Sequence, residues 1–286
     1  MDYLSPGSLK RIARGQLFGR LGTVIGAFLL QMVCMIPVFV LYFAGLVLVE
    51  ALVMGNGNLL IGYVAEFVIL ILSFLYIAVF LYGQNQLYLK LACRQEATVT
   101  DLFAGFREGF FRIIALAAAP SVLLSVFFIP VVIAINRMII VMYTDQAFLD
   151  EFYRQMMTAG MMGMDQAFVE DFTSRFTPYS RAITYSGIFA VGGCVLVGIL
   201  FSQILYLASD YSDRSVIEIF MGNFRVMTGH WLRFAFLVLT FAPWFLLCMM
   251  YCTFLAVIWV FPYYKAASAN FYIDLLRGGK HPSGSD

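Results

Sequence analysis

Residues Leu59 to Gly83 read LLIGYVAEFVILILSFLYIAVFLYG, a run with one charge, Glu66. A helix needs about 20 mostly apolar residues to cross the hydrocarbon of a bilayer. This run is apolar all round and leaves no polar face for water, so it reads as a membrane span. Other segments of the same kind lie on both sides of it. Leu21 to Val49 comes before, with Pro37 inside. Phe111 to Ile135, carrying Pro120 and Pro130, and Ile183 to Tyr206 come after. The last apolar stretch, from Trp231 to about Tyr272, is roughly twice one span at about 1.5 Å per residue. It is expected to fold back, with a fifth helix ending near Met250 and a sixth starting near Thr253. The fold class expected is all-α: a polytopic membrane bundle of six transmembrane helices.

Composition agrees. Of 286 residues, 62% are hydrophobic and 12% charged. A soluble domain averages about 45–50% and about 25%. A water-soluble fold of this length cannot hide so much apolar surface, so lipid must be the main solvent. The net charge of +1 gives no electrostatic case for nucleic acid. The five cysteines sit in apolar runs, except Cys93, which falls in an inner connection, so no disulfide framework is expected. The first apolar run is too long for a signal-peptide core and reads as a retained helix.

Basic residues set the orientation. Lys10, Arg11, Arg14 and Arg20 precede the first span; Lys90, Arg94, Arg107 and Arg112 lie between the second and third. Arg214, Arg225 and Arg233 lie between the fourth and fifth, and Lys265, Arg277 and Lys280 follow the last. The other connections are poor in positive charge, and 144–181 is net acidic. Both ends are therefore expected in the cytoplasm. Residues 1–20 read as an amphipathic leading segment, 21–276 as the transmembrane domain with an outer helical insert at 144–181, and 277–286 as a flexible tail.

Three inner stretches mix apolar and basic residues at helical spacing: Leu9 to Leu17, Asp101 to Arg107 after a cap at Thr100, and Glu218 to Arg225. They read as helices lying on the membrane surface. Each precedes an outward span. Two inward spans also end alike, in Gln86-Leu87-Tyr88-Leu89 and Gln203-Ile204-Leu205-Tyr206-Leu207. The pattern points to three helical-hairpin repeats.

Several of these stretches resemble the DUF975 family of bacterial integral membrane proteins. They are Leu9 to Arg14 with Leu17, Tyr88 to Arg94 with Asp101 to Phe106, Val226 to His230 with Arg233 and Phe234, and Trp259 with Phe261 to Ala267 and Asn270 to Tyr272. The chain departs from the family pattern in lacking a Pro-Gly-Ile turn between the third and fourth spans, and in carrying Asn223 where Ser is common. The resemblance implies a six-span protein of the bacterial cytoplasmic membrane. It implies no activity.

No catalytic motif is present, and the only histidines are His230 and His281. The chain is expected to be no enzyme, and no cofactor or metal is expected. Polar groups inside spans are the remaining candidates. Glu66 lies in the outer half of the second span, where Asn136 and Arg137 at the end of the third can meet it. It reads as a structural pair, or as part of a transport pathway. Gln84, Asn85, Gln86, Gln203, Asp210, Lys265 and Asn270 gather at inner helix ends, to bond those ends or to line a vestibule. Ser186, Ala190, Cys194, Gly198 and Ser202 form a small-residue stripe that reads as a helix-packing face. Methionines at 156–164 could offer soft ligands to Cu(I), but with Phe148, Phe152, Phe168, Phe172 and Phe176 they read better as amphipathic helices over the outer face, a surface for a protein partner.

The leading expectation is a non-enzymatic protein acting through a partner at 144–181 or through the bilayer. The rival is a small-molecule or proton-coupled transporter with Glu66 in its path. Oligomeric state stays open. The orientation can be checked with Cys93: an impermeant maleimide should label it in inside-out vesicles and not in intact cells. Labelling in intact cells would reverse the topology.

Overall fold

A computed structural model describes residues 3–56, 59–162, 165–251 and 256–278. Among the described residues every regular element is helical. In order they are α1 (Pro6–Leu17), α2 (Leu21–Asn56), α3 (Leu59–Ala92), a 3-10 turn (Val99–Phe103) leading into α4 (Ala104–Arg107), α5 (Phe110–Thr144), α6 (Gln146–Met162), α7 (Gln166–Leu200), α8 (Ile204–Asp210), α9 (Val216–Met227), α10 (Trp231–Leu239), α11 (Ala242–Tyr251), a π turn (Ala256–Val260) and α12 (Phe261–Leu276).

Among the described residues five segments are long and apolar enough to cross a membrane: Leu21–Val49, Leu60–Ala92, Phe110–Thr144, Gln166–Asp210 and Trp231–Cys248. The chain is a membrane protein built as a helical bundle. The proposed start of a sixth span at Thr253 lies outside the described residues, as do Cys252, His281 and most of the tail. The described part of that span, the π turn and α12, is packed into the protein: Ala266, Ala267, Ala269, Phe271 and Tyr272 are almost wholly buried. By contrast α2 exposes Val33, Ile36, Phe39, Val40, Leu41, Val47 and Leu48, as a lipid-facing helix does.

The outer insert differs from expectation. α5 continues past Ile135 to Thr144, and α7 starts at Gln166, so both spans run on into the insert. At 35 residues each extends about 50 Å, beyond a hydrocarbon layer of about 30 Å. Only α6 is a separate helix, folded back between them. The phenylalanines do not spread over lipid. Phe148, Phe168 and Phe176 are buried against one another, with Met138, Met142, Phe152 and Tyr179 around them. Asp145 closes this cap. It accepts the Phe148 amide at 3.1 Å and the Arg175 guanidinium at 2.6 Å, which holds its carboxyl below the usual carboxylate range. Arg175 also sits 5.0 Å over the Phe148 ring.

The main buried core lies at the opposite end, the one expected to be inner. It is made by α1, α4, α8, α9, α12 and the nearby turns of α2, α3, α5 and α10. The inner amphipathic helices bury one face on protein, while Ile12 of α1 and Ile217, Met221 and Phe224 of α9 stay exposed. α1 is capped by Ser5, starts with Pro6, and buries Leu9, Ala13 and Leu17 on one face against α12. α9 is closed by the reciprocal Ser215–Glu218 box and buries Ile219, Asn223 and Met227. In the middle inner stretch the cap is Thr98 and not Thr100: Asp101 accepts the Thr98 amide at 2.8 Å. The three units share one detail. Gly19, Gly109 and Gly229 all have φ near +80°, and each joins an inner helix to the outward helix after it. A side chain is disfavoured there, which is why glycine stands at all three corners.

α3 and the α4 segment meet backbone to backbone. A Cβ on Gly83 would lie 2.0 Å from the Leu102 carbonyl oxygen, and one on Gly105 2.4 Å from that of Val79. Neither neighbour is a side chain that can swing away. Gly83→Ala and Gly105→Ala should each destabilise the protein by about 1–3 kcal/mol or more, while Gly198→Ala, which meets nothing, should not. Thermal unfolding in detergent checks this; equal behaviour of all three would refute the close approach.

Candidate functional site

Two helix breaks shape the middle of the protein. Between α7 and α8 the helix stops at Phe201–Gln203, freeing backbone groups. Asn223 from α9 takes them: its amide donates to the Leu200 carbonyl at 2.8 Å, and its oxygen accepts the Gln203 N–H at 3.2 Å. Between α10 and α11 the chain turns at Thr240, and Lys10 from α1 donates to that carbonyl at 3.0 Å while lying 4.2 Å over the Phe241 ring. Burial pushes the Lys10 ammonium below its ordinary pKa.

Beside the first break lies a cavity of about 300 Å³, walled by α3, α5, α7, α8 and α12 and touched by α10. Its lining is mostly apolar, including Phe74, Ile77, Leu81, Leu124, Val197 and Phe234. Pro120 of α5 also lines it; a proline inside a helix removes one backbone hydrogen bond and crowds the turn before it. The polar lining residues are Ser121, Ser202, Asn85, Lys265 and Ser268, with Tyr206 and Tyr264. Lys265 donates to Asn85 Oδ1 at 3.1 Å. Among the described residues it makes no ion pair. Tyr206 is buried, with its hydroxyl beside that of Ser268.

The inner carboxylates are engaged elsewhere. Asp101 pairs with Lys90 at 2.7 Å. Glu108 accepts from Gln86 at 2.9 Å, and Asp210 from the Tyr272 hydroxyl at 2.7 Å. Asp274 pairs with Arg233, which also donates to the Leu4 carbonyl at 2.7 Å and lies over the rings of Tyr3 and Phe271. This latch ties the start of the chain to its last helix. His230, next to it, is pushed below its ordinary pKa by burial and by the Arg233 charge.

With this geometry, the expected site residues separate. Only Asn85 and Lys265 of the inner polar set line the cavity. Asn270 and Gln16 exchange side-chain amide bonds at 2.6 and 3.0 Å, so Asn270 ties α1 to α12. Gln84 and Gln203 are buried away from the cavity lining. The small-residue stripe and the buried face share Ala190 and then part by one residue. The face of α7 buried against the bundle carries Ala190, Gly193 and Val197, and Gly193 is where the Phe127 ring of α5 rests. Ser186 is half-buried; Cys194, Gly198 and Ser202 line the cavity instead. The spacing of four kept these residues on one stripe, but only the neighbouring helices decide whether a stripe meets a wall or a space.

Glu66 is buried at 2% exposure and accepts from Asn136 Nδ2 at 2.6 Å. Arg137, expected beside it, is exposed and makes no ion pair with it among the described residues. Glu66 is outside the cavity lining. The apolar wall of the cavity carried no signal in sequence, because Phe74, Cys194 and Phe234 are ordinary span residues until the helices converge.

A family model covers residues 5–278, nearly the whole chain. The chain belongs to the DUF975 family. That family is described as a protein of unknown function. No curated protein and no solved structure matches. Membership confirms the resemblance read from the inner motifs, and the structure shows what those motifs do. Leu9 and Ala13 are core, Asp101 anchors Lys90, and Asn270 holds Gln16. The motif residues of this DUF975 chain are mostly the joints of its inner end.

The latch sets a test. Asp274 is 1% exposed and Arg233 18%. Removing one member of a buried pair costs about 3–5 kcal/mol. Arg233→Met should therefore lower stability in detergent far more than Lys90→Met, whose partner is buried but whose own side chain is 32% exposed. Equal losses would show that the latch does not hold the inner end.

Proposed function

We propose that this chain is a non-enzymatic membrane protein that acts through the bilayer, by holding a lipid-like molecule in the cavity between α3, α5, α7, α8 and α12. The observation that carries this reading is the cavity itself: about 300 Å³, mostly apolar walls, and its few polar groups in one protein interior. Ligand sites are concave, mostly apolar and carry a small number of placed polar groups, and about 300 Å³ is at the small end of their range. The apolar walls favour a membrane-soluble ligand over a hydrophilic one.

Three serines, two tyrosines, an asparagine and a lysine stand there, with no histidine or carboxylate lining the cavity, a set that supports binding more than the usual nucleophile–base pairs. A transport path through Glu66 loses its motive, because Glu66 is bonded to Asn136 and stands apart from the cavity. The outer cap, whose phenylalanines pack on one another, supports a partner surface less than the bilayer reading does. The home expected for the protein is the bacterial cytoplasmic membrane, with both ends inside.

Gly198 and Gly187 both have open space where a Cβ would sit, but only Gly198 lines the cavity. In nanodiscs, a diazirine-bearing alkyl probe should label peptides from α7 and α8 around Cys194 and Tyr206. Gly198→Leu should abolish most of that labelling and Gly187→Leu should leave it. Labelling confined to the lipid-facing side chains of α2, unaffected by Gly198→Leu, would end this reading.

A further inference from the structure

The cavity wall holds one full charge. Lys265 comes from α12, and its ammonium reaches only the neutral oxygen of Asn85 at 3.1 Å, with the Phe261 ring 5.7 Å away. Four acids of the inner half have partners of their own: Asp101 with Lys90, Glu108 with Gln86, Asp210 with Tyr272 and Asp274 with Arg233. Glu66 is held by Asn136. A desolvated cation without a counter-charge is costly, and membrane proteins keep such groups where they pair or serve a ligand. Lys265 instead faces a space whose other walls are Phe74, Ile77, Leu81 and Leu124.

We infer that the ligand of this cavity is an amphiphile with an anionic head, its carboxylate or phosphate on Lys265 Nζ and its chain along the apolar wall of α3 and α5. This rests on the cavity reading above and names the ligand class for it. Ser268 and Ser202 line the same cavity, and their hydroxyls are able to donate to the head's remaining oxygens. The Tyr206 hydroxyl, beside Ser268, is a further donor at this end. A carboxylate has about four acceptor sites and a full charge, against two acceptor sites and no charge for an alcohol head. At about 300 Å³ the space suits one chain and a small head better than the body of a two-chain phospholipid.

The test uses the full chain in nanodiscs of zwitterionic phosphatidylcholine, photolabelled with the diazirine alkyl probe. A saturated fatty acid, a single-chain alkyl phosphate, the fatty alcohol of equal length, two-chain phosphatidic acid and inorganic phosphate serve as competitors. A hydrogen bond to a charged group makes the acid and the alkyl phosphate about ten- to hundred-fold better competitors than the alcohol. Lys265→Gln should remove that preference and keep alcohol competition, and Lys265→Arg should largely retain it. Comparing acid with phosphate, and one chain with two, separates a free fatty acid from a phospholipid source. If acid and alcohol compete equally in the unaltered protein, the anionic head is wrong while the cavity reading stands. Competition by inorganic phosphate as strong as by the acid would equally overturn it. If nothing labels the cavity, both readings fall together. The acid–alcohol comparison needs no variant, so it decides even if Lys265→Gln does not fold.

Discussion

A helix that breaks near a membrane frees carbonyl and amide groups with no water to bond them. In this protein the groups are taken by side chains from the inner helices. Asn223 of α9 satisfies the Leu200 carbonyl and the Gln203 amide, and Lys10 of α1 satisfies the Thr240 carbonyl. These contacts satisfy backbone groups where the spans interrupt. The cavity depends on this, because Phe201, Ser202 and Ile204, at the first interruption, are part of its wall. A continuous helix through that point would carry its side chains along a different line.

The inner helices thus do two things at once. Their apolar faces complete a core with the ends of the spans, as Leu9, Ala13 and Ile219 show by near-complete burial. Their polar residues stitch those ends together, through Gln16 with Asn270, Lys90 with Asp101 and Arg233 with Asp274. Lipid gives apolar helices little reason to associate, so packing and polar contacts must hold the bundle together. Here both are concentrated at the inner end, and α2, mostly exposed along its length, is left to face lipid. The outer cap is a smaller second core with its own aromatic cluster, joined to the rest through the continuous helices α5 and α7.

Against this frame Lys265 stands apart. Its neighbours in sequence, from Ala266 to Tyr272, are buried among protein atoms, and most polar groups nearby have a protein partner. Lys265 has only a neutral amide and an apolar space. The charge, the volume and the wall chemistry belong to one place in the molecule, which is why the functional reading centres there and not on Glu66.

The amino-acid sequence alone determined that this is a helical membrane protein of the DUF975 kind. Runs such as 59–83 can be stable only in lipid, and that follows from composition and length without any knowledge of neighbours. It also placed the inner amphipathic stretches and set Asn136 and Arg137 at the depth of Glu66, because period and depth along a helix are local properties. Tertiary structure alone decided the rest. Whether Cys194 and Gly198 pack or line a space, whether Arg137 reaches Glu66, and whether Lys265 meets an acid all depend on which helices converge and at what rotation. Those relations join residues far apart in the chain, and a pattern of spacing along one helix carries no information about the wall opposite it.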